Sequence, residues 1–293
     1  MTIELLQDVP VLLRPKADST KEISTVCNAA GSVWAISEPT FIESWPGVLH
    51  SLSIRSIGVP LSTEEAQTLG RSIIDWGETF ETFPQNCIEV RDALIRKLDS
   101  ALRAFPLGAF VKLGSRSPKD ALNWSSSHNV VNGQIKKGRD AFGTLTACLE
   151  RISDDLHFQL MNDYQPWIWL REGLDLPKWS EFRCFMKDRE LVGISQYFAR
   201  EWFEEIAAHV EEIKQAIKAF FFEQFRSASH LDSVVFDIFV RRRQDHTLEV
   251  RLLEINPFCI LTDPCLFQWN ELERNSSEFR YRRATFMTYG EKI

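Results

Sequence analysis

The chemistry in this sequence lies in charges set inside apolar stretches. Val234-Val235-Phe236-Asp237-Ile238-Phe239-Val240 is an apolar run broken only by Asp237. Leu252-Leu253-Glu254-Ile255-Asn256-Pro257-Phe258 carries Glu254 and Asn256 in the same manner. A carboxylate in such a place is costly unless it meets a cation or a metal. Side chains alternate across a strand, so Glu254 and Asn256 share a face. If the two runs pair as a hairpin, Asp237 joins them. Two carboxylates and an amide oxygen are a hard, all-oxygen set suited to magnesium, with nucleotide phosphates filling the remaining positions. The same residues also read structurally. The acids would then pair with Arg183, Arg171 or Arg251, and Asn256 would cap a turn before Pro257.

A second set is cationic. Lys112 sits inside Phe110-Val111-Lys112-Leu113, and Lys119 follows in Ser117-Pro118-Lys119-Asp120. Arg171 ends Trp167-Ile168-Trp169-Leu170, and Arg183 lies within Glu181-Phe182-Arg183-Cys184-Phe185. Cations projecting from several strands would neutralise a polyphosphate. Surface charge on snorkelling stems is the alternative, which suits Lys119 better than Arg183. A serine- and glycine-containing loop at 125–138 could close over phosphates with its N–H groups, although it has neither a Walker A nor a G-x-G-x-x-G pattern. Ser195 and Cys184 lack the context of a nucleophile and read as structural.

Composition narrows the field. The chain has 293 residues, enough for about two domains or lobes, and a net charge of −7 argues against a broad nucleic-acid or anionic-membrane footprint. No basic segment followed by an apolar stretch opens the chain, and no apolar run has the length of a membrane span. The six cysteines form no C-x-x-C pair and the six histidines no metal spacing, so a reducing cytoplasm is expected and a zinc site is not.

These residues need a scaffold. Ser62-Thr63-Glu64-Glu65 is a capping box opening a helix with Ala66, Leu69, Ile73 and Trp76 inward. A second helix runs from about 86 to 104 with Ile88, Leu94, Ile95, Leu98 and Leu102 inward, ended by Phe105-Pro106-Leu107-Gly108. A strand follows at 109–113, a loop at 123–140 and a helical pair at 141–163. Strand signals lie at 166–171, 180–187, 190–196, 233–241 and 247–256, with an amphipathic helix across about 200–225. The polar and aromatic segment 266–293 reads as a surface wrap. The pattern is α+β, with mostly antiparallel strands and helices covering one side. The texture divides a helical and mixed region, residues 1–105, from residues 106–293.

The ordered blocks resemble the cell division cycle protein 123 family. Ser180-Glu181-Phe182-Arg183-Cys184-Phe185 followed by Leu191-Val192-Gly193-Ile194-Ser195-Gln196 resembles its central signature. Val111-Lys112-Leu113 through Ser117-Pro118-Lys119-Asp120-Ala121, then Phe236-Asp237-Ile238-Phe239-Val240, then Glu254-Ile255-Asn256-Pro257-Phe258 with Thr262-Asp263 and Leu266–Leu272, agree in order. The resemblance covers about residues 105–275. It implies an ATP-grasp-like fold, two α+β lobes with a nucleotide cleft between them, in which residues 1–105 are part of the first lobe and 106–293 the nucleotide-binding core. It implies ATP and magnesium as cofactors. Lys112 and Lys119 would contact phosphates, and Arg183 would lie in the cleft. The strand ending in Arg171 and Glu172 would border adenine and ribose. Asp237, Glu254 and Asn256 would hold magnesium.

Departures accompany the likeness. Glu254 stands where the family has aspartate, Tyr197-Phe198 follows Ser195-Gln196 in place of arginine–aspartate, and the tryptophan–tyrosine entry motif is missing. Eukaryotic members act as assembly factors for translation initiation factor 2 and bind its gamma subunit, so the implied function is assembly of a protein client. The alternative is a ligase or phosphotransferase that activates a carboxylate as an acyl phosphate. On either reading, Asp237→Asn or Glu254→Gln is expected to weaken magnesium-ATP binding with the fold intact.

Overall fold

The computed structural model of the protein describes residues 30–74, 85–118, 134–147, 151–274, 277–283 and 288–292. They divide into two units, one of residues 30–34 and 55–175, the other of 35–54 and the chain from 176 onward. The change of texture at 105 therefore falls inside the first unit. The strand that follows it pairs with strands of that same unit, and pairing outweighs composition.

In the first unit, strand β1 (Ser56–Pro60) leads into helix α1 (Thr63–Ile74). The expected capping box is present: Glu65 N donates to Ser62 Oγ at 3.1 Å and Ser62 N to Glu65 Oε2 at 2.8 Å. Helix α2 (Gln85–Leu102) buries Leu94, Leu98 and Leu102, whereas Ile88, expected inward, is exposed because it lies in the first turn, beyond the packed stripe. Strand β2 (Ala109–Leu113), helix α3 (Gly138–Thr146), helix α4 (Arg151–Met161) and strand β3 (Trp167–Glu172) complete the unit. The sheet order is β1-β3-β2, all antiparallel. β1 was not anticipated, since Gly58 and Pro60 dilute the strand signal. Val111, Leu113, Ile168 and Leu170 pack with Leu69, Leu98 and Leu156 from the helices. Alternation then puts Lys112, Trp169 and Arg171 on the other face.

The second unit is a six-stranded sheet in the order β7-β6-β4-β5-β8-β9. Its strands are β4 (Glu181–Lys187), β5 (Glu190–Gln196), β6 (Val234–Arg242), β7 (Leu248–Pro257), β8 (Glu278–Arg282) and β9 (Thr288–Lys292). All neighbours are antiparallel except β5 and β8. The expected surface wrap is thus corrected: the segment contributes helix α6 (Trp269–Glu273) and two strands. Phe279 and Tyr281 alternate inward between polar residues, and this period of two is diluted in the polar composition. Between β5 and β6, helix α5 (Val210–Phe220) continues into a π turn, Phe221–Phe225. Phe225 and Phe221 stack on Phe236 of β6 at centroid distances of 3.9 and 6.1 Å.

The opposite face of this sheet receives α6. A Cβ added to Gly193 would lie 2.9 Å from Leu272 Cδ2 and 3.1 Å from Phe267, so a larger residue there would force those side chains to shift. Among the described residues, no helix is long and apolar enough to cross a membrane.

Phe236 is fully buried beneath two aromatic rings. Phe236→Ala is expected to lower unfolding stability by about 3–5 kcal/mol, read from urea denaturation.

Candidate functional site

Arg183 on β4 stands directly opposite Asp237 on β6 and Ser195 on β5. Asp237 stands opposite Glu254 on β7, and Ser195 opposite Arg280 on β8. A transverse row, Glu254–Asp237–Arg183–Ser195–Arg280, therefore crosses five strands on one face. Asn256 opposes Val235 and lies on that face too. The sequence-derived set Asp237, Glu254 and Asn256 is thus brought together.

A β-bulge places it there. Ile238 pairs with Leu252 but Asp237 with Glu254, so Leu253 is the extra residue. Continued without the bulge, the ladder would put Leu253 opposite Asp237 and turn Glu254 and Asn256 to the other face.

The pair at the centre of the row is a buried fork. Arg183 Nε donates to Asp237 Oδ1 and Nη2 to Oδ2, both at 2.8 Å. Its Nη1 donates to the carbonyl of Asp263 at 2.8 Å, and the guanidinium lies 5.0 Å from the Tyr197 ring centroid. Arg183 is 6% exposed and Asp237 4%, so neither charge is held by water. Burial opposes the charge of Arg183, yet Asp237 overrides it and holds the guanidinium well above its ordinary pKa. Of the two readings of Asp237, ion pairing with Arg183 is the contact formed. Arg183 consequently spends its fork on Asp237 and the Asp263 carbonyl.

Asp237 retains acceptor capacity, because a carboxylate offers about four lone-pair sites and Arg183 occupies two. Asn256 turns its amide nitrogen towards Asp237 Oδ2 at 3.5 Å. Glu254 and Asn256 are half-buried at the open end of the row. These oxygens fit the donor chemistry of a hard divalent cation bound with phosphate oxygens. Ser195 is fully buried, donating to the Gln196 carbonyl and accepting from Leu266 N, and burial with the Asp237 charge pushes the Cys184 thiol well up. Both are structural, as expected.

In the first unit, Lys112 faces Trp169 across the β2–β3 ladder, and Arg171 faces Phe110 and Ser56. Lys112 and Arg171 thus share the face that the helices leave. Both are buried, and Arg171 Nε donates to Ser56 Oγ at 3.1 Å. Gly58 lies opposite Trp169, and a Cβ there would meet the Trp167 and Trp169 rings at 2.9–3.0 Å. Glu172 is separated from this group, exposed on the opposite face at the strand end. Lys119 and residues 125–133 of the expected phosphate loop lie outside the described residues.

Sequence reasoning missed a polar cluster beside Lys112. Ser115 Oγ donates to Asp155 Oδ2, and Gln159 Nε2 donates to both Ser115 Oγ and Asp155 Oδ2 at 2.9 Å. Burial pushes the Asp155 carboxyl up, against the pull of Arg116, Ser115, Gln159 and Lys112. A signal existed: Asp155 lies three residues from both Ile152 and Phe158, on the apolar stripe of α4. Tyr197 and Asp263 were also missed as partners of Arg183. The contact to Asp263 uses a main-chain oxygen, which no side-chain pattern announces.

A model of the D123 family matches residues 68–289. A Xenopus tropicalis protein named translation initiation factor eIF2 assembly protein is 27% identical over 273 residues, covering 80% of this chain and 77% of its own length. A Xenopus laevis protein of the same name is 28% identical, covering 69% of this chain and 60% of its own length. The structure of Cdc123 from Schizosaccharomyces pombe superposes with a TM-score of 0.65 at 20% identity, over 82% of this chain and 92% of that one. This likeness shows the fold, and the α+β class with mostly antiparallel sheets holds.

The buried fork corrects one expectation. Asp237→Asn leaves a buried guanidinium without its counter-charge, so it is expected to destabilise the protein by about 3–5 kcal/mol, not to leave the fold intact. Arg183→Met with Asp237→Leu should recover most of that loss in a double-mutant cycle. Asp155 supplies a pH test. Its folded pKa is raised, so the stability gained on protonation is full below the unfolded value of 3.8 and lost as pH rises through the folded value. Across that window, the parent should gain stability relative to Asp155→Asn as pH falls, measured by urea unfolding.

Proposed function

The chain belongs to the D123 family, and we propose that it is an assembly factor for a protein client, using ATP and magnesium to order its binding state. The observation that carries the client reading is the family match across residues 68–289, together with relatives named as eIF2 assembly proteins. The client of first choice is therefore initiation factor 2, at the gamma subunit that the family resemblance implies.

The nucleotide part of the proposal rests on geometry within each unit. In the second, Arg183 fixes the plane of Asp237, and the bulge at Leu253 brings Glu254 and Asn256 to the same face. These three residues would hold magnesium, which supplies charge neutralisation for the phosphates when bound. Glu254, half-buried at the end of the row, offers a carboxylate to the ion. Arg183 acts chiefly by orienting Asp237. In the first unit, Lys112 and Arg171 would meet phosphate and ribose oxygens from one sheet face. Glu172, on the opposite face, is not part of that group, and Lys119 keeps its phosphate role only through the family resemblance.

Glu254→Gln is the appropriate probe, because Asp237 is also structural. Thermal unfolding with ATP and magnesium should raise the parent's midpoint by several degrees, since ligand at a hundred times its dissociation constant adds about 2.7 kcal/mol. Glu254→Gln should lose most of that shift, measured from its own ligand-free midpoint. No shift for the parent at millimolar ATP would overturn the nucleotide reading. Failure to co-purify with initiation factor 2 subunits, with acceptor-dependent ADP release instead, would overturn the client reading in favour of a ligase.

A further inference from the structure

The β6–β7 hairpin gathers three arginines around one carboxylate. Arg241 donates to Glu249 Oε2 through Nε at 3.0 Å and Nη2 at 2.5 Å. Arg243 donates to Glu249 Oε1 through Nη2 at 3.2 Å. Arg251 Nε lies 3.7 Å from the same Oε1, and its Nη1 donates to the Ser51 carbonyl at 3.3 Å. The register explains the convergence. Arg241 opposes Glu249, Phe239 opposes Arg251, and Arg243 continues the ladder through its N–H to Thr247. All therefore project from one face. Arg242 alternates to the other and pairs with Glu212.

Glu249 is the enclosed member, with 10% of its side chain exposed, against 49%, 56% and 40% for Arg241, Arg243 and Arg251. Burial works against its charge, but the arginines hold its carboxyl below the usual range. Asp245, at the turn, commits Oδ1 to the Thr247 N–H and hydroxyl. Exposed ion pairs add little to stability, so three half-exposed arginines sharing one acid are poorly explained as a stabilising device. They are a local cationic surface on a chain of net charge −7.

We propose that this face docks an acidic protein segment in extended conformation, with carboxylates at alternate positions. The point where the three arginines converge is already filled by Glu249, so a single compact anion has no central seat. What remains is a line. Arg241 and Arg243 are two residues apart on an extended chain, about 6.6–6.8 Å, which is the spacing of same-side residues in an extended peptide. Arg241 commits Nε and Nη2 to Glu249 and Arg243 commits Nη2, so each guanidinium offers an incoming carboxylate its outer edge, which carries Nη1.

The test is fluorescence anisotropy of a labelled Glu-Ser-Glu-Ser-Glu peptide at low salt. The parent should bind, and binding should weaken as salt shortens the Debye length to about 10 Å and below. Arg241→Glu with Arg243→Glu should weaken binding by about tenfold or more, whereas Arg226→Glu, elsewhere on the unit, should not. Glu249→Gln should bind about threefold tighter, because it removes the competing internal acid. That gain separates a docking face from an intramolecular ion-pair hub, for which Glu249→Gln yields no gain. Unfolding midpoints of all variants show that they are folded. The proposal is overturned if the parent ignores the peptide, if the double reversal binds as well as the parent, or if Glu249→Gln fails to tighten binding. It is also overturned if inorganic phosphate displaces the peptide at equal charge, or if phosphatidylserine vesicles capture the parent and the peptide does not compete.

Discussion

The buried fork between Arg183 and Asp237 is the constraint on which the second unit depends. Both groups lie in the middle of a sheet, where either charge alone would be costly. Together they define which residues of β4 and β6 must be opposite, and so fix the register of that pair of strands. The third Arg183 bond, to the Asp263 carbonyl, ties the chain after β7 back over the same face. The Tyr197 ring lies against the guanidinium. One ion pair thus organises two strands and two connecting segments.

The same fork divides labour among the candidate metal ligands. Asp237 must satisfy Arg183 before it can serve an ion, whereas Glu254 and Asn256 lie towards the open end of the row. A substitution at Asp237 therefore mixes folding with binding. The first unit repeats the theme in another form. Asp155 is buried with Ser115 and Gln159, with Lys112 and Arg116 supplying the nearby positive charge. There burial prevails over the cations, so the acid titrates high, while in the second unit direct bidentate contact prevails and the guanidinium stays charged.

The elements were largely legible. The capping box at Ser62–Glu65, the apolar stripes of α2 and α5, and the strand runs of β2 to β7 follow period and propensity, which are local properties. What escaped was what locality conceals. β8 and β9 sit in a polar stretch, and β1 is interrupted by glycine and ends in proline. The turn between β4 and β5 is a further case. Asp188 and Arg189 both take positive φ without glycine or asparagine to favour it. Bonds from Asp188 N to Ser233 Oγ and from Arg189 to Asp232 and the Arg226 carbonyl hold that turn.

The sequence by itself determined which charges would be buried: Asp237, Lys112, Arg171 and Arg183 each interrupt apolar strand-forming residues, and burial follows from those neighbours, whereas Glu254, in the same pattern, is only half-buried. It also determined the α+β class, since two periodicities alternate along the chain. Only the tertiary structure decided who meets whom. Alternation along each strand could not reveal the extra residue at Leu253, and that single bulge turns Glu254 and Asn256 to the face of Asp237. Nor could it say which of Arg183, Arg171 and Arg251 would pair with Asp237. That choice belongs to the pairing of β4 with β6, set by contacts between residues 54 positions apart.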